Sequence, residues 1–156
     1  RNFGSVEKYI HEIQGSNTRL QPLQAILLNE KLKYLNEWNE ERLSVANEYI
    51  ESLHDIEKIV LPKTLDRNKH VWHLFVIQVP NRRKFMEHCK NSNVELGIHY
   101  PLPIIKQNAY KNHAQQKEIF QNSFSEYKKL VTLPVFPKMK KQEINYVIKV
   151  VREYFR

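Results

Sequence analysis

Histidine side chains are the first groups in this sequence to suggest chemistry, because two of them stand close together. His70 and His73 are three residues apart, a spacing that brings two imidazoles onto one face of a helix. They fall, however, in a stretch that predicts a strand, where side chains three apart point to opposite faces. Since neither a second cysteine nor a carboxylate cluster lies nearby, we predict no metal site.

Other familiar catalytic patterns are also missing from the sequence. Cys89 follows Phe85 by one helical turn on the apolar face of a predicted helix, which indicates a core residue rather than a nucleophile. The chain contains 3 glycines, too few for a glycine-rich phosphate loop. No Ser-His-Asp arrangement follows from the spacing. The sequence by itself therefore holds no complete catalytic constellation.

Two further stretches contain polar residues that could bind a ligand. Residues 15–25 include Asn17 and Arg19, and a later stretch places His99 beside Tyr100. Amide, guanidinium, imidazole and phenol groups can all hydrogen-bond phosphate or hydroxyl oxygens. Structural roles are the alternative: Asn17 could cap a helix, Arg19 could face solvent, and the second pair could simply end a strand.

Hydrophobic periodicity predicts the elements that position these groups. Apolar residues recur at helical spacing from Leu20 to Leu53, with Pro22 in the first turn, and predict one long helix. The segments that follow predict a small α/β layer, with a small antiparallel sheet packed by helices. Strands are predicted at 71–79 and 130–133, and a strand or extended segment at 94–100. Helices are predicted at 82–91, within 114–129 and from 144 to 155.

Composition restricts the class of protein. The chain has 156 residues, of which 41% are hydrophobic and 27% charged, as in a globular domain. The densest apolar run, 71–79, is too short to cross a bilayer and no signal peptide is visible, so we expect no membrane partner. A single cysteine favours a reducing cytoplasm. The net charge of +8 leaves a basic nucleic-acid-binding module as an alternative function. The basic residues are spread along the chain, however, which is typical of a solvated surface. We therefore expect no nucleic-acid partner.

Taken in order, the motifs resemble those of the DegT/DnrJ/EryC1/StrS family of sugar aminotransferases. Residues 15–20 (Gly-Ser-Asn-Thr-Arg-Leu) resemble the family's Gly-x-Asn-x-Arg-Leu signature, and residues 70–77 resemble its His-x-x-x-x-Phe-Val-Ile strand. Residues 97–103 (Gly-Ile-His-Tyr-Pro-Leu-Pro) resemble its substrate loop, and residues 133–139 resemble its closing motif. The resemblance covers nearly the whole chain.

This resemblance implies the small carboxy-terminal domain of a fold type I aminotransferase that depends on pyridoxal 5'-phosphate (PLP). Residues 1–19 would be a lid or loop segment from the large domain, 20–53 a long connecting helix, and 54–156 the small α/β domain. In the family the Schiff-base lysine lies upstream of the segment that residues 1–4 resemble. We therefore expect no catalytic residue in this chain and no activity from the fragment alone.

For the full-length protein the resemblance implies transfer of an amino group, from glutamate, to a keto group of a nucleotide-linked deoxysugar. The His-Tyr-Pro form resembles members that act on 3-keto sugars. The expected partners are a nucleotide-sugar, an amino-acid donor and a second copy in a homodimer, and the product would serve glycan biosynthesis. Two alternatives stay open: a PLP-dependent sugar dehydratase relative that lacks the lysine, and an inactive truncated fragment.

Four residues carry the implied site. Asn17 matches the asparagine that reaches the PLP phosphate of the partner subunit, and Arg19 matches the neighbouring arginine, for which a structural role is the alternative. His99 and Tyr100 match residues that contact the nucleotide-sugar. Ile105 stands where many relatives have histidine, which leaves the identity of the sugar open.

Overall fold

The computed structural model describes residues 5–7, 10–16, 20–110 and 120–156. The chain divides into two compact units, Arg1–Asn36 and Glu37–Arg156. In the first unit, strand β1 (Ser5–Glu7) pairs antiparallel with strand β2 (Ile10–His11). The sequence predicted only loop in this region, and the structure adds this short strand pair.

The predicted long helix consists of two helices, α1 (Pro22–Leu32) and α2 (Leu35–Leu53). Helix α1 ends because the N–H groups of Lys33 and Tyr34 donate to carbonyls three residues back, at 3.4 and 3.1 Å, which tightens its last turn. The apolar side chains of α1 are exposed, Leu23 to 70%. The division into lid, connecting helix and small domain stays a prediction.

The second unit is built on a two-stranded antiparallel sheet. Strand β3 (Phe75–Gln78) pairs with strand β4 (Leu130–Leu133), with Phe75 opposite Leu133. Single-residue bridges extend both edges, because Val60 pairs with Gln78 and Gly97 pairs with Thr132. The predicted antiparallel sheet is confirmed. The segment at 94–100, predicted as a strand or an extended segment, contributes a single bridge at Gly97.

Strand β3 is shorter than the predicted strand at 71–79. Trp72 has a φ of 49°, in the left-handed region that interrupts an extended chain. Its N–H donates to the His70 imidazole at 2.9 Å, and the Val71 carbonyl accepts from Arg42 at 3.1 Å. These backbone groups are therefore bonded to side chains and not to a neighbouring strand.

After α2 the second unit has helices α3 (Arg82–Asn91), α4 (Gln121–Glu126) and α5 (Lys141–Phe155). Of these four helices, α2, α3 and α5 contribute buried apolar residues to the core. Helix α3 packs against α5 and β4, with Phe85 and Cys89 fully buried, as the sequence predicted. Residues 114–119 of the predicted 114–129 helical stretch lie outside the described residues. Within the described part of the chain, no helix is long and apolar enough to cross a membrane.

Tyr49 connects helix α2 to strand β3 and to the residue that follows strand β4. Its side chain is fully buried, and its ring meets Phe75 of β3 edge to face at 5.1 Å. Its hydroxyl donates to the Pro134 carbonyl, directly after β4, at 2.8 Å. Burial raises the pKa of Tyr49 well above its ordinary value, so the phenol stays neutral.

A second long-range contact fastens the end of α5 to the end of α2. Arg152 donates two hydrogen bonds of 2.7 Å to the Asp55 carboxylate and one of 2.6 Å to the Ser52 carbonyl. The hydrogen bonds from Arg152 lower the pKa of Asp55 from its ordinary 3.8 to about 2. Because the ionised form is the bonded form, this contact depends on pH.

The Tyr49 hydrogen bond can be tested with Tyr49→Phe. The substitution leaves the Pro134 carbonyl without its partner in the core, so the free energy of unfolding should fall by about 1–3 kcal/mol. Tyr146→Phe is a matched control, because the Tyr146 hydroxyl also donates to a backbone carbonyl, that of Ser92, at 3.0 Å, but the residue is 45% exposed. Urea denaturation of the protein that carries this sequence measures both. Equal losses in the two variants would contradict the central role of Tyr49.

The Asp55 contact should stabilise the fold above the ordinary carboxyl pKa and lose that effect as the pH falls. A depressed folded-state pKa means that protons bind preferentially to the unfolded chain. Asp55→Asn should therefore lower the urea midpoint at about pH 6, and the difference from wild type should shrink as the pH falls from about 4 towards 2. Glu153→Gln is the control, since Glu153 meets Lys149 only at 3.8 Å. A difference that is constant over this pH range would count against the assignment.

Candidate functional site

The structure describes half of the predicted site. His99 and Tyr100 lie in the second unit, directly after the Gly97 bridge. Asn17 and Arg19 lie outside the described residues. The described part of the predicted site is therefore its substrate side.

His99 is held against strand β4. Gly97 exchanges two backbone hydrogen bonds with Thr132, at 3.0 and 2.8 Å, so this part of the chain runs beside the strand. The His99 Nδ1 atom is 2.9 Å from the Thr132 hydroxyl oxygen. A Cβ atom at position 97 would lie 2.8 Å from His99 Cε1, closer than such contacts allow. The imidazole can therefore occupy this position because Gly97 has no side chain.

Tyr100 is 68% exposed and lines a groove of about 570 Å³. The Tyr100 and His99 rings are 5.5 Å apart, nearly perpendicular, across a cis peptide bond. Among the described residues the groove walls are mainly apolar and aromatic, and Glu126 is the one charged side chain that lines them. Such a surface suits a flat ring or an apolar part of a ligand. Its walls include Leu102, Ile104, Phe120, Tyr127 and Leu130.

Cationic side chains lie next to Tyr127, one of the residues that line this groove. Lys106 donates to the Tyr127 hydroxyl at 3.1 Å, and its ammonium lies 4.4 Å from the Tyr127 ring centre and 4.8 Å from that of Phe124. The hydrogen bond from Lys106, with the charges of Lys106, Lys128 and Arg82, lowers the pKa of Tyr127. A groove edge with these cations favours an anionic ligand.

Glu126 does not cancel this charge, because it is paired already. Lys129 lies 3.0 Å from its carboxylate, and the hydrogen bonds from Lys129 and Ser125 lower the pKa of Glu126. Arg82, the first residue of α3, donates to the Tyr127 carbonyl at 2.9 Å. The guanidinium thus fixes the backbone of this groove wall.

Sequence reasoning missed Thr132, Lys106 and Tyr127. Thr132 occupies a predicted strand and offers no local signal, since a β-branched residue is ordinary there. Lys106 could have been suspected from its position in the proline-rich loop, and Tyr127 from its spacing of three residues from Phe124. Neither signal would have paired the two segments.

The residues considered for other chemistry have structural positions. Burial raises the pKa of Cys89 to about 11, so its thiol is a core group. His70 stacks on Trp72, with ring centres 4.2 Å apart. Across the described ranges, no three histidine, cysteine or carboxylate side chains are grouped as they would be to hold a metal ion.

Comparison with known proteins gives one consistent family. The model of the DegT/DnrJ/EryC1/StrS aminotransferase family matches residues 1–152. A transaminase from Aneurinibacillus thermoaerophilus, named for dTDP-3-amino-3,6-dideoxy-alpha-D-galactopyranose, is 39% identical over 99% of this chain and 42% of its own length.

Solved structures agree in fold. The crystal structure of S. venezuelae DesV in complex with a ketimine intermediate superposes with a TM-score of 0.91 at 33% identity, over 100% of this chain and 42% of that one. The crystal structure of NtdA from Bacillus subtilis with bound cofactor PMP superposes with a TM-score of 0.80 at 25% identity, over 96% of this chain and 36% of that one. The chain thus spans about two fifths of the length of these proteins.

Proposed function

This chain belongs to the DegT/DnrJ/EryC1/StrS aminotransferase family, and on that premise we propose that it is the carboxy-terminal portion of a PLP-dependent nucleotide-sugar aminotransferase. The reaction moves an amino group from glutamate to a keto group at carbon 3 of a nucleotide-linked deoxysugar. The relative from A. thermoaerophilus, named for a 3-amino sugar, supports this position. The observation that carries the proposal is that Tyr100, the residue after His99, lines a groove whose wall at Tyr127 lies next to cations.

The substrate side of the proposal follows from the chemistry of the groove. A nucleotide-sugar combines a flat base, polar sugars and a diphosphate with negative charge. The aromatic walls suit the flat and apolar parts, and the cations near Tyr127 favour the diphosphate. His99 and Tyr100 can each hydrogen-bond a sugar hydroxyl or a diphosphate oxygen. The chain's role is therefore to bind and orient the substrate.

The cofactor side depends on the donors that this chain offers. When bound, PLP supplies the electron sink that lets an amino group move between carbons. Asn17 carries an amide donor of the kind that suits a phosphate oxygen, and we assign it to the PLP phosphate of the partner subunit, with Arg19 beside it. No lysine of this chain has the sequence context of the family's cofactor lysine, which binds the aldehyde carbon of PLP. The hydrogen-bond donors of Asn17 and Arg19 therefore suit the phosphate group of PLP.

A homodimer is part of this proposal. Helix α1 exposes a set of large apolar side chains, with Leu23 at 70%, Ile26 at 62% and Leu27 at 58%. Contiguous apolar surface of this kind usually marks an interface. We propose that a second copy of the chain covers α1, and the proposed role of Asn17 requires such a copy.

Substitutions in the loop test the substrate role. In the full-length enzyme, His99→Ala or Tyr100→Phe should lower kcat/KM for the nucleotide-sugar by about 10- to 150-fold, the cost of a hydrogen bond to a charged oxygen. Bound PLP should not change. The melting temperature should hold for Tyr100→Phe, because Tyr100 is exposed, and should fall slightly for His99→Ala, because Thr132 loses its partner. Tyr146→Phe is the matched control and should keep full kcat/KM.

Unchanged kcat/KM in these variants would indicate that the loop at 97–103 has only a structural role. If both variants keep full kcat/KM while melting much earlier, His99 and Tyr100 only end a β-bridge segment. Ile105→His adds a test of substrate identity, since it should raise kcat/KM only for the substrate of those relatives that carry histidine there.

The cofactor role of Asn17 has its own test. Asn17→Ala should weaken PLP binding to the apoenzyme by about 10- to 150-fold through loss of a hydrogen bond to a charged phosphate. Asn91→Ala on α3, where the side chain is exposed, is the matched control. Titration of the apoenzyme with PLP, followed by absorbance, gives the dissociation constants. Unchanged PLP affinity with a lower melting temperature would instead assign Asn17 to helix capping.

A further inference from the structure

Three residues of the second unit share one face of the sheet edge. Gly97 lies opposite Thr132 in an antiparallel bridge, so the two residues project to the same side of the sheet. His99 lies two residues after Gly97, and its contact with Thr132 places its ring on that side as well. Its ring folds back over Gly97 to reach the Thr132 hydroxyl, at 2.9 Å. This arrangement requires both a glycine at 97 and a hydroxyl at 132.

The Thr132 hydroxyl has one hydrogen-bond partner in the described part of the chain. Thr132 is only 5% exposed, and its oxygen meets no described group other than His99 Nδ1. A buried hydroxyl proton without an acceptor is costly. If Nδ1 carried the proton of a neutral imidazole, it would donate to the hydroxyl oxygen and leave the hydroxyl proton unpaired. When Nδ1 is unprotonated, the hydroxyl donates to it and both groups are satisfied.

We propose that Thr132 is a positioning residue that fixes the neutral His99 imidazole with its proton on Nε2. The hydroxyl determines the tautomer and the ring orientation together, because it binds one ring nitrogen directionally. The His99 Nε2 atom has no partner among the described residues, so its N–H is available to a ligand. This role rests on the proposed function, because a sugar or diphosphate oxygen of the substrate would accept a hydrogen bond from the Nε2–H group.

A structural role is the competing explanation for Thr132. Threonine is common in strands, where its branched side chain fills space. Valine has nearly the same shape and lacks the hydroxyl, whereas serine keeps the hydroxyl and lacks the methyl group. Thr132→Val and Thr132→Ser therefore separate the hydrogen bond from the packing.

The experiment uses the full-length enzyme with ¹⁵N-labelled histidine. Nitrogen–proton correlation spectra at a pH where the imidazoles are neutral report the tautomer, and His99→Gln identifies the His99 signals. Wild type and Thr132→Ser should show the proton on Nε2, and Thr132→Val should show a mixture of both tautomers. In the same proteins, kcat/KM for the nucleotide-sugar should fall about 3- to 10-fold in Thr132→Val and recover in Thr132→Ser.

The results separate this inference from the proposed function. A His99 tautomer that is the same in Thr132→Val and wild type would overturn the role of Thr132, whatever the kinetics. So would a loss of kcat/KM in Thr132→Val that Thr132→Ser does not restore. Full kcat/KM in His99→Ala would instead reject the substrate role of His99, while the spectra of the Thr132 variants would still decide the tautomer.

Discussion

The buried Tyr49 side chain is the contact on which the second unit depends. One residue meets Phe75 of β3 through its ring and the Pro134 carbonyl after β4 through its hydroxyl. Helix α2 is thereby fixed to both strands of the sheet. A two-stranded sheet is marginal by itself, so its stability comes from packing of this kind against helices. The hydrophobic effect supplies most of the energy, and the single polar bond determines where the strands lie against the helix.

The candidate site takes its geometry from the same sheet. Strand β4 ends next to Pro134, the partner of Tyr49, and carries Thr132, the partner of both Gly97 and His99. A shift of β4 by one residue would turn Thr132 to the other face and release the imidazole. The position of a polar group at the edge thus depends on apolar packing in the centre. This dependence is why the site residues lie on a bridge and a loop that the sheet holds in place.

Charge has a separate role from packing in this unit. The bonds from Arg152 to Asp55 join the ends of two helices at the surface, where they add pH sensitivity but little to the core. Around the groove, by contrast, cations gather at Tyr127 while Glu126 is paired with Lys129. The net charge of +8 comes from basic residues that are spread along the chain, and in the described part of the chain several of them lie around Tyr127. A net charge predicts an anionic partner in general, and the folded arrangement indicates which surface would meet it.

Local sequence patterns determined much of the fold of this protein. The apolar face of α5, the buried pair on α3 and strand β4 follow from spacing within each segment, because 3.6-residue and two-residue periods are local properties. The ordered motifs also placed the chain in its family. Local patterns did not predict the end of α1 or the start of β3. These boundaries depend on which hydrogen-bond partner each backbone N–H and carbonyl group has in the folded chain.

The tertiary structure alone decided how the described site residues are paired. His99 and Thr132 are separated by 33 residues, and Lys106 and Tyr127 by 21. The motif at 97–103 indicated His99 and Tyr100 as candidate ligand-binding residues. The neighbouring sequence does not indicate that the Thr132 hydroxyl contacts His99 or that cations lie next to Tyr127. Pairing across such distances is set by sheet register and helix packing, which bring together groups that have no local relation. The sequence therefore determined which residues could bind, and the fold determined which atoms they present.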